Sequence, residues 1–331
     1  MMTFFKDLPV GGDIEGAEAL VEDLRSGITK RNTKYYTITL RDGGGDSLKA
    51  QVWDENTVPT NLSIGDVVKF CGAVSSYQGN KQLTIRSLAP AVRTKPVDYM
   101  KTTSKDVEMM WQNIKDRVSG MTDRLCKYLG QNLVTCEPLT HLFKRSPAAT
   151  KVHNNWVGGL IEHVFAMCNL ADGVCDHYRE YYPNLNKDQV ILGCLIHDLG
   201  KVFEYESGNP AFPKTPTGVL VNHIVWGPAW VYSEAATLLL AIQRGYEDVD
   251  FTGSIDDVKE GRDAIMHMIA SHHGKLEWGS PVVPATIEAI ILHYLDNLDT
   301  HTMHAIEAIK KDGNIKGFSE KSYVYGTEFK K

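Results

Sequence analysis

The sequence predicts a two-domain protein, a small all-β barrel followed by an all-α domain. Three observations carry this. Apolar and polar residues alternate in short runs between about 17 and 90, then apolar residues recur at helical spacing from about 106 onward. The stretch between them, APAVRTKPVDYMKTTSK (89–105), has two prolines and no period. A chain of 331 residues also exceeds what one ordinary core holds.

The elements follow in order. A first strand is expected around 17–25. YYTITLRD (35–42) puts Tyr36, Ile38 and Leu40 on one face and Tyr35, Thr37, Thr39 and Arg41 on the other. GGGD (43–46) reads as a hairpin turn, and SLKAQVWD (47–54) sets Leu48, Ala50 and Val52 against Lys49, Gln51 and Trp53. GDVVKFCGAV (65–74) and KQLTIRSL (81–88) flank the turn SSYQGN. Five strands in about 75 residues is the count of a closed or nearly closed barrel. It is expected over 1–92, with a linker at 93–105. Helices are expected near 106–130, 156–181, 187–198, 219–242, 256–273 and 285–310, the last breaking near 299. The acidic stretch 244–262 reads as a surface loop, the helical domain as 106–315, and 316–331 as a tail.

Composition excludes some classes. With 43% hydrophobic and 23% charged residues the chain is not extensively disordered. No apolar run approaches the ~20 residues of a membrane-spanning helix, so no membrane partner is expected. MMTFFKDLPVGGD lacks the basic start and apolar stretch of a signal peptide. Six cysteines, none in a CxxC pair, read as buried free thiols of a reducing compartment, by default the cytoplasm. The net charge of −6 divides into +1 over residues 1–95 and −7 beyond. An acidic second half repels a polyanion unless bound cations change the local field, so charge alone decides little.

The chemistry starts in ILGCLIHDLGKVFEY (191–205). An apolar helix runs into His197 and Asp198, and a buried imidazole and carboxylate need compensation. His163, His223, the pair His272–His273 and Asp296 lie in similar apolar contexts. Singly, each is more often a hydrogen-bonded core residue. Together, five histidines and two carboxylates are satisfied at once by a shared metal centre. Neighbouring helical residues point ~100° apart, so His197 and Asp198 converge only near a helix end, which Gly200 is expected to supply. Imidazole and carboxylate donors without cysteine suit Mn²⁺, Fe²⁺, Co²⁺ or Zn²⁺ better than Ca²⁺ or an all-oxygen Mg²⁺ cage.

The order H…HD…H…HH…D resembles that of HD-domain phosphohydrolases. At closer range the chain resembles the YhaM family of 3′-5′ exoribonucleases. The resemblance is carried by His153 with GGLIEH (158–163), HDLGK (197–201) with Glu204, NHI (222–224), SHHGKLEWGSPVVP (271–284) and LHYLDNLD (292–299). It implies an OB-type nucleic-acid-binding barrel ahead of an HD domain. It further implies a first metal site of His163, His197, Asp198 and Asp296. Asp198 would bridge to a second ion held by His223 and His272, with His273 as an open alternative or addition. It points to Mn²⁺, to two ions, and to Asp198 and Lys201 as catalytic residues. Lys201 would offset charge on a phosphate oxygen. Glu162 and Glu204 are candidates for orienting a ligand histidine. Where the family usually carries a histidine pair this chain has His153–Asn154, and His153 is counted among the substrate contacts.

Single strands are held by aromatic platforms beside basic side chains. The polar strand faces offer Tyr35, Lys49, Trp53 and Arg86 for this purpose, with Arg41 nearby. The expected activity is divalent-metal hydrolysis of single-stranded RNA, and of single-stranded DNA as a further substrate, from the 3′ end to nucleoside 5′-monophosphates. Two rivals stand beside it: a hydrolase of small nucleotides whose barrel serves homo-oligomeric assembly, and a binding module with a structural metal centre.

Overall fold

The computed structural model describes residues 4–77, 80–149, 154–206, 208–245, 251–310, 313, 315–322 and 324–331. The chain forms two compact units, Met1–Lys101 with Gly208–Pro213, and Thr102–Ser207 with Lys214–Lys331.

The first unit is a five-stranded closed barrel: β1 (Asp13–Ile28), β2 (Lys34–Arg41), β3 (Ser47–Val52), β4 (Val67–Tyr77) and β5 (Asn80–Pro90). The order around it is β1-β2-β3-β5-β4, closed by β4 on β1. Every pairing is antiparallel except β3 with β5. This Greek-key arrangement of five strands is the OB type. Alternation explains its interior. Ile38 and Leu40 of β2, Ala50 and Val52 of β3, Phe70 and Val74 of β4, and Leu83 and Ile85 of β5 are all buried inside. The first strand is far longer than expected, and its register shifts let one half pair with β4 and the other with β2.

Two expectations change here. Part of the linker is structured: Pro96–Tyr99 form a short 3-10 helix, and buried Tyr99 packs with Leu20 and Val67. The preceding turn is caught by Glu18, whose carboxylate accepts from the backbone N–H groups of Val92, Arg93 and Thr94. Arg41 is not on an open binding face either. Its side chain is buried, pairs with Glu22 at 3.2 Å and donates to the carbonyl of Pro210. Asn209 donates to the Ile64 carbonyl, so 208–213 is tied to the barrel at two points. Exchanging Arg41 for Met removes the ion pair of Glu22, which keeps only its bond from the Ser47 hydroxyl, and takes the donor from a buried carbonyl. It is expected to destabilise the first unit by about 3 kcal/mol, read as a lowered urea midpoint in circular dichroism.

The second unit is helical: α1 (Val107–Gly120), α2 (Arg124–Thr135), α3 (Glu137–Arg145), α4 (Gly159–Arg179), α5 (Lys187–Ile196), α6 (Lys201–Glu204), α7 (Pro216–Val221), α8 (His223–Arg244), α9 (Ile255–Ala270) and α10 (Ile287–Ile309). The helix expected over 106–130 is interrupted because Asp123 caps a new one, accepting from the N–H of Cys126. The short helices α3, α6 and α7 fall below what periodicity detects. The stretch 244–262 is not all loop. A capping box of Ser254 and Asp257 starts α9 inside it, and its residues 246–250 lie outside the described residues. The last helix does not break near 299; Asp299 is buried within it. At the centre lies α5, buried without interruption from Val190 to Ile196 and packed among α4, α9 and α10. The cysteines are free, but Cys136 is exposed and Cys71 half-buried, so the set is not wholly buried.

Candidate metal centre

Three helix ends and two helix interiors of the second unit supply the site. After Ile196 ends α5, residues 197–200 form a turn before α6, which turns both His197 and Asp198 inward. Gly200 is not a left-handed cap, for its φ is −61°. It is needed for space: a Cβ there would come within 2.3 Å of the His223 carbonyl oxygen. His223 opens α8 just after Asn222, whose φ of +61° separates α7 from α8. His272 and His273 follow α9 in a turn that Gly274 completes at φ +80°. His163 lies in α4, and Asp296 and Asp299 lie three residues apart in α10.

All five imidazoles have Nδ1 engaged on the outside of the cluster. His163 Nδ1 is 2.6 Å from Asp299 Oδ2 and His223 Nδ1 2.6 Å from Glu204 Oε2. His197, His272 and His273 donate from Nδ1 to the carbonyls of Cys194 (3.0 Å), Ile269 (2.6 Å) and Trp278 (2.9 Å). A carbonyl only accepts, so these three rings carry their proton on Nδ1 and present the Nε2 lone pair inward. The tautomer is thus set by what lies behind each ring.

The inward atoms gather in two groups. In one, ligand atoms of His163, His197 and Asp198 lie within 4.8 Å of one another, and Asp296 Oδ1 is 3.4 Å from His163 Nε2. The other joins His223, His272 and His273 within the same limit. Asp198 stands between them. Its Oδ2 is 3.3 Å from His197 Nε2, and its Oδ1 is 3.6 Å from His223 Nε2 and 3.9 Å from His272 Nε2.

The electrostatics favour positive charge at the centre. Burial pushes the Asp198 carboxyl up, but Lys201, His197 and His223 outweigh it and hold the group well below the usual carboxylate range. Asp296 is lowered likewise, burial being overcome by His163 and His197. Burial pulls His163 down, yet the bonds to Asp296 and Asp299 raise it to about 9. The two carboxylates thus favour positive charge at the His163 ring. Burial and the neighbouring His197 push His272 well below its ordinary value, and burial and His223 lower His273. Both stay neutral, the form that ligates. Burial raises Glu204, but bonds to His223 and Lys214 bring it down to about 2, so it remains a carboxylate behind His223.

These donors fit divalent cations. Nitrogen and carboxylate oxygen converge, no thiolate joins them, and the Nε2 atom of fully buried His197 has no hydrogen-bond partner of acceptable geometry. Such a buried lone pair, beside others aimed at the same point, is costly without a cation. A divalent transition metal at a hundred times its dissociation constant is expected to stabilise the fold by about 2.7 kcal/mol. Differential scanning fluorimetry reads this as a raised midpoint that EDTA reverses.

The structure thus brings together His163, His197, Asp198, His223, His272, His273 and Asp296, with both members of the 272–273 pair in one group. Lys201 Nζ is 2.6 Å from Asp198 Oδ2. Sequence reasoning missed Asp299, although its three-residue spacing from Asp296 puts both on one helix face. Of the two glutamates considered for orienting a ligand, Glu204 touches one and Glu162 does not. Glu162 accepts from Thr103 and Trp156 and pairs with Lys105, fastening the approach to α4. His293 donates from Nδ1 to the His272 carbonyl, bracing the histidine turn. His153 lies outside the described residues.

In the first unit, Tyr35 and exposed Trp53 have ring centroids 5.5 Å apart, and Lys49 is exposed on the same face of β3. Arg86, also exposed, pairs with Asp13 at 2.8 Å.

Comparison with known proteins follows this geometry. A family described as "HD domain" matches residues 160–301, and that domain implies divalent metal binding. The 3′-5′ exoribonuclease YhaM of Bacillus velezensis is 32% identical over 298 residues, 88% of this chain and 87% of its own length. That of a Geobacillus species is 32% identical over 92% of this chain and 87% of its own. That of Bacillus subtilis is also 32% identical, over 85% and 82%. Among solved structures, the second OB-fold domain of replication protein A from Methanococcus maripaludis matches 28% of this chain and 96% of its own, at 17% identity and a TM-score of 0.22. None of the described helices is long and apolar enough to cross a membrane.

Proposed function

The chain belongs to the YhaM family of 3′-5′ exoribonucleases, and on that premise we propose that it is a divalent-metal phosphodiesterase that shortens single-stranded RNA from the 3′ end, releasing nucleoside 5′-monophosphates. The observation that carries the reading is the convergence of five Nε2 atoms and Asp296 around Asp198, with every Nδ1 engaged behind.

His163, His197, Asp198 and Asp296 would hold one ion, and His223, His272 and His273 a second, with Asp198 facing both groups. Bound Mn²⁺, the favoured metal, would supply Lewis-acid stabilisation of the scissile phosphate and lower the pKa of the attacking water. Fe²⁺, Co²⁺ and Zn²⁺ suit the same donors. Lys201 keeps Asp198 ionised and adds positive charge next to the phosphate oxygens. Asp299 and Glu204 keep the rings of His163 and His223 aimed inward.

The barrel serves as the strand holder. Tyr35 and Trp53 form its stacking platform, and Lys49 and Arg86 its phosphate contacts. The ion pair between Arg86 and Asp13 is exposed and weak, so a phosphate can replace Asp13. Stacking tolerates any base, which extends the reading to single-stranded DNA. The reading extends equally to a cytoplasmic site of action, supported by the six free cysteines.

The test uses a 5′-labelled single-stranded RNA with Mn²⁺ and the intact protein, products being resolved over time. A descending ladder is expected. Immediate mid-chain fragments would make the protein an endonuclease, and hydrolysis of cyclic or mononucleotides without any ladder would overturn the polymer substrate. Trp53→Ala is expected to raise KM for a long oligonucleotide about tenfold.

A further inference from the structure

The turn after the histidine pair carries an aromatic side chain that metal binding does not use. Residues Leu276–Trp278 form one 3-10 turn ended by Gly279 at φ +94°. The carbonyl of Trp278 is the acceptor that fixes His273 Nδ1 at 2.9 Å, so this turn is attached directly to the metal centre. Its indole nevertheless projects outward and is 50% exposed. Lys275 Nζ lies 4.3 Å from the ring centroid. The ring of His293 is 6.3 Å from Trp278 and 5.0 Å from Tyr294, which is 66% exposed. His293 is itself bonded to the His272 carbonyl. A half-exposed indole, an exposed ammonium that also pairs with Glu277 at 3.8 Å, and the candidate metal centre are thus held together by two hydrogen bonds to the backbone of one segment.

From this we propose that Trp278 is the stacking site for the base of the 3′-terminal nucleotide, with Lys275 turning from the ring to that nucleotide's phosphate. The proposal deepens the reading above and rests on it. A nucleotide is the occupant whose parts match both groups, a flat π-system for the indole and an anion for the ammonium. A purely apolar partner would make no use of the Lys275 ammonium, whose ion pair with Glu277 at 3.8 Å is exposed and weak enough for a phosphate to replace. Stacking reads no hydrogen-bond pattern, so the site accepts all four bases, as trimming of a mixed sequence requires.

The test takes the Mn²⁺-loaded full-length protein with Trp278→Ala and Trp278→Phe. Either change leaves the main-chain acceptor of His273 in place, and Phe keeps an aromatic face if Ala harms the fold. Calorimetric binding of AMP is expected to weaken about tenfold in the Ala variant and much less in the Phe variant. A second measurement compares kcat/KM for an oligonucleotide with an intact 3′-terminal nucleotide and one with an abasic residue there. The wild type should prefer the intact end about tenfold, and Trp278→Ala should lose that preference. An unchanged preference, unchanged AMP affinity, or a dimer that Trp278→Ala dissolves would overturn the stacking site. If the wild type leaves the intact oligonucleotide uncut, it is the exonuclease reading that has failed, and AMP binding still judges Trp278.

Discussion

Asp198→Asn is expected to abolish hydrolysis and to lower the bound metal to less than one ion per chain. Asp198 is the carboxylate within reach of both histidine groups, so neutralising it weakens both sites together. Losing a single electrostatic contact to a transition state costs roughly 10²–10³ in rate. Asp198 should exceed that, because it holds the ions as well as the charge balance. The measurements are metal content after dialysis and turnover of a labelled oligonucleotide, with circular dichroism to verify the helices. The amide matches the carboxylate in size, so the helical spectrum should persist. A variant that keeps both ions and its activity would remove Asp198 from the centre.

The second large effect separates the two groups. Asp299→Asn should weaken metal at the His163 group, and Glu204→Gln at the His223 group, each by about 10–100-fold. The reason is an asymmetry in what stands behind the rings. Carboxylates back only His163 and His223; main-chain carbonyls, which mutation does not remove, back His197, His272 and His273. Asparagine still accepts a hydrogen bond from His163 Nδ1, so that variant tests charge rather than geometry. Glutamine at 204 also surrenders the ion pair with Lys214. Two-site metal titration by calorimetry is the measurement. Equal weakening of both sites in both variants, or of neither, would refute this division.

Of these two positions Glu204 is legible in the sequence, and Asp299 marks where sequence reading stops. His197 and Asp198 were legible because they end an apolar run that has no other way to tolerate them. The remaining histidines and Asp296 were legible as a set sharing that difficulty. Asp299 was not, since an aspartate in a mixed helix reads like any solvated one until His163 is known to lie against it. The carbonyls of Cys194, Ile269 and Trp278 have no side-chain signature at all. Gly200 is legible as a helix end but not in its actual role: its backbone is ordinary, and only the close passage of His223 demands a glycine. Arg41 fell on the polar face by alternation, which assigns a face but cannot tell what covers it.

Local pattern by itself therefore determined two kinds of domain, the inward residues of the strands, and the residue types that need a metal. Periodicity and burial cost are properties of short segments, so they can be read along the chain. The tertiary structure decided which carboxylate backs which imidazole, that Asp198 faces both groups, and that residues 208–213 join the barrel. Those are relations between segments distant in sequence, and packing alone brings such atoms to within 4 Å.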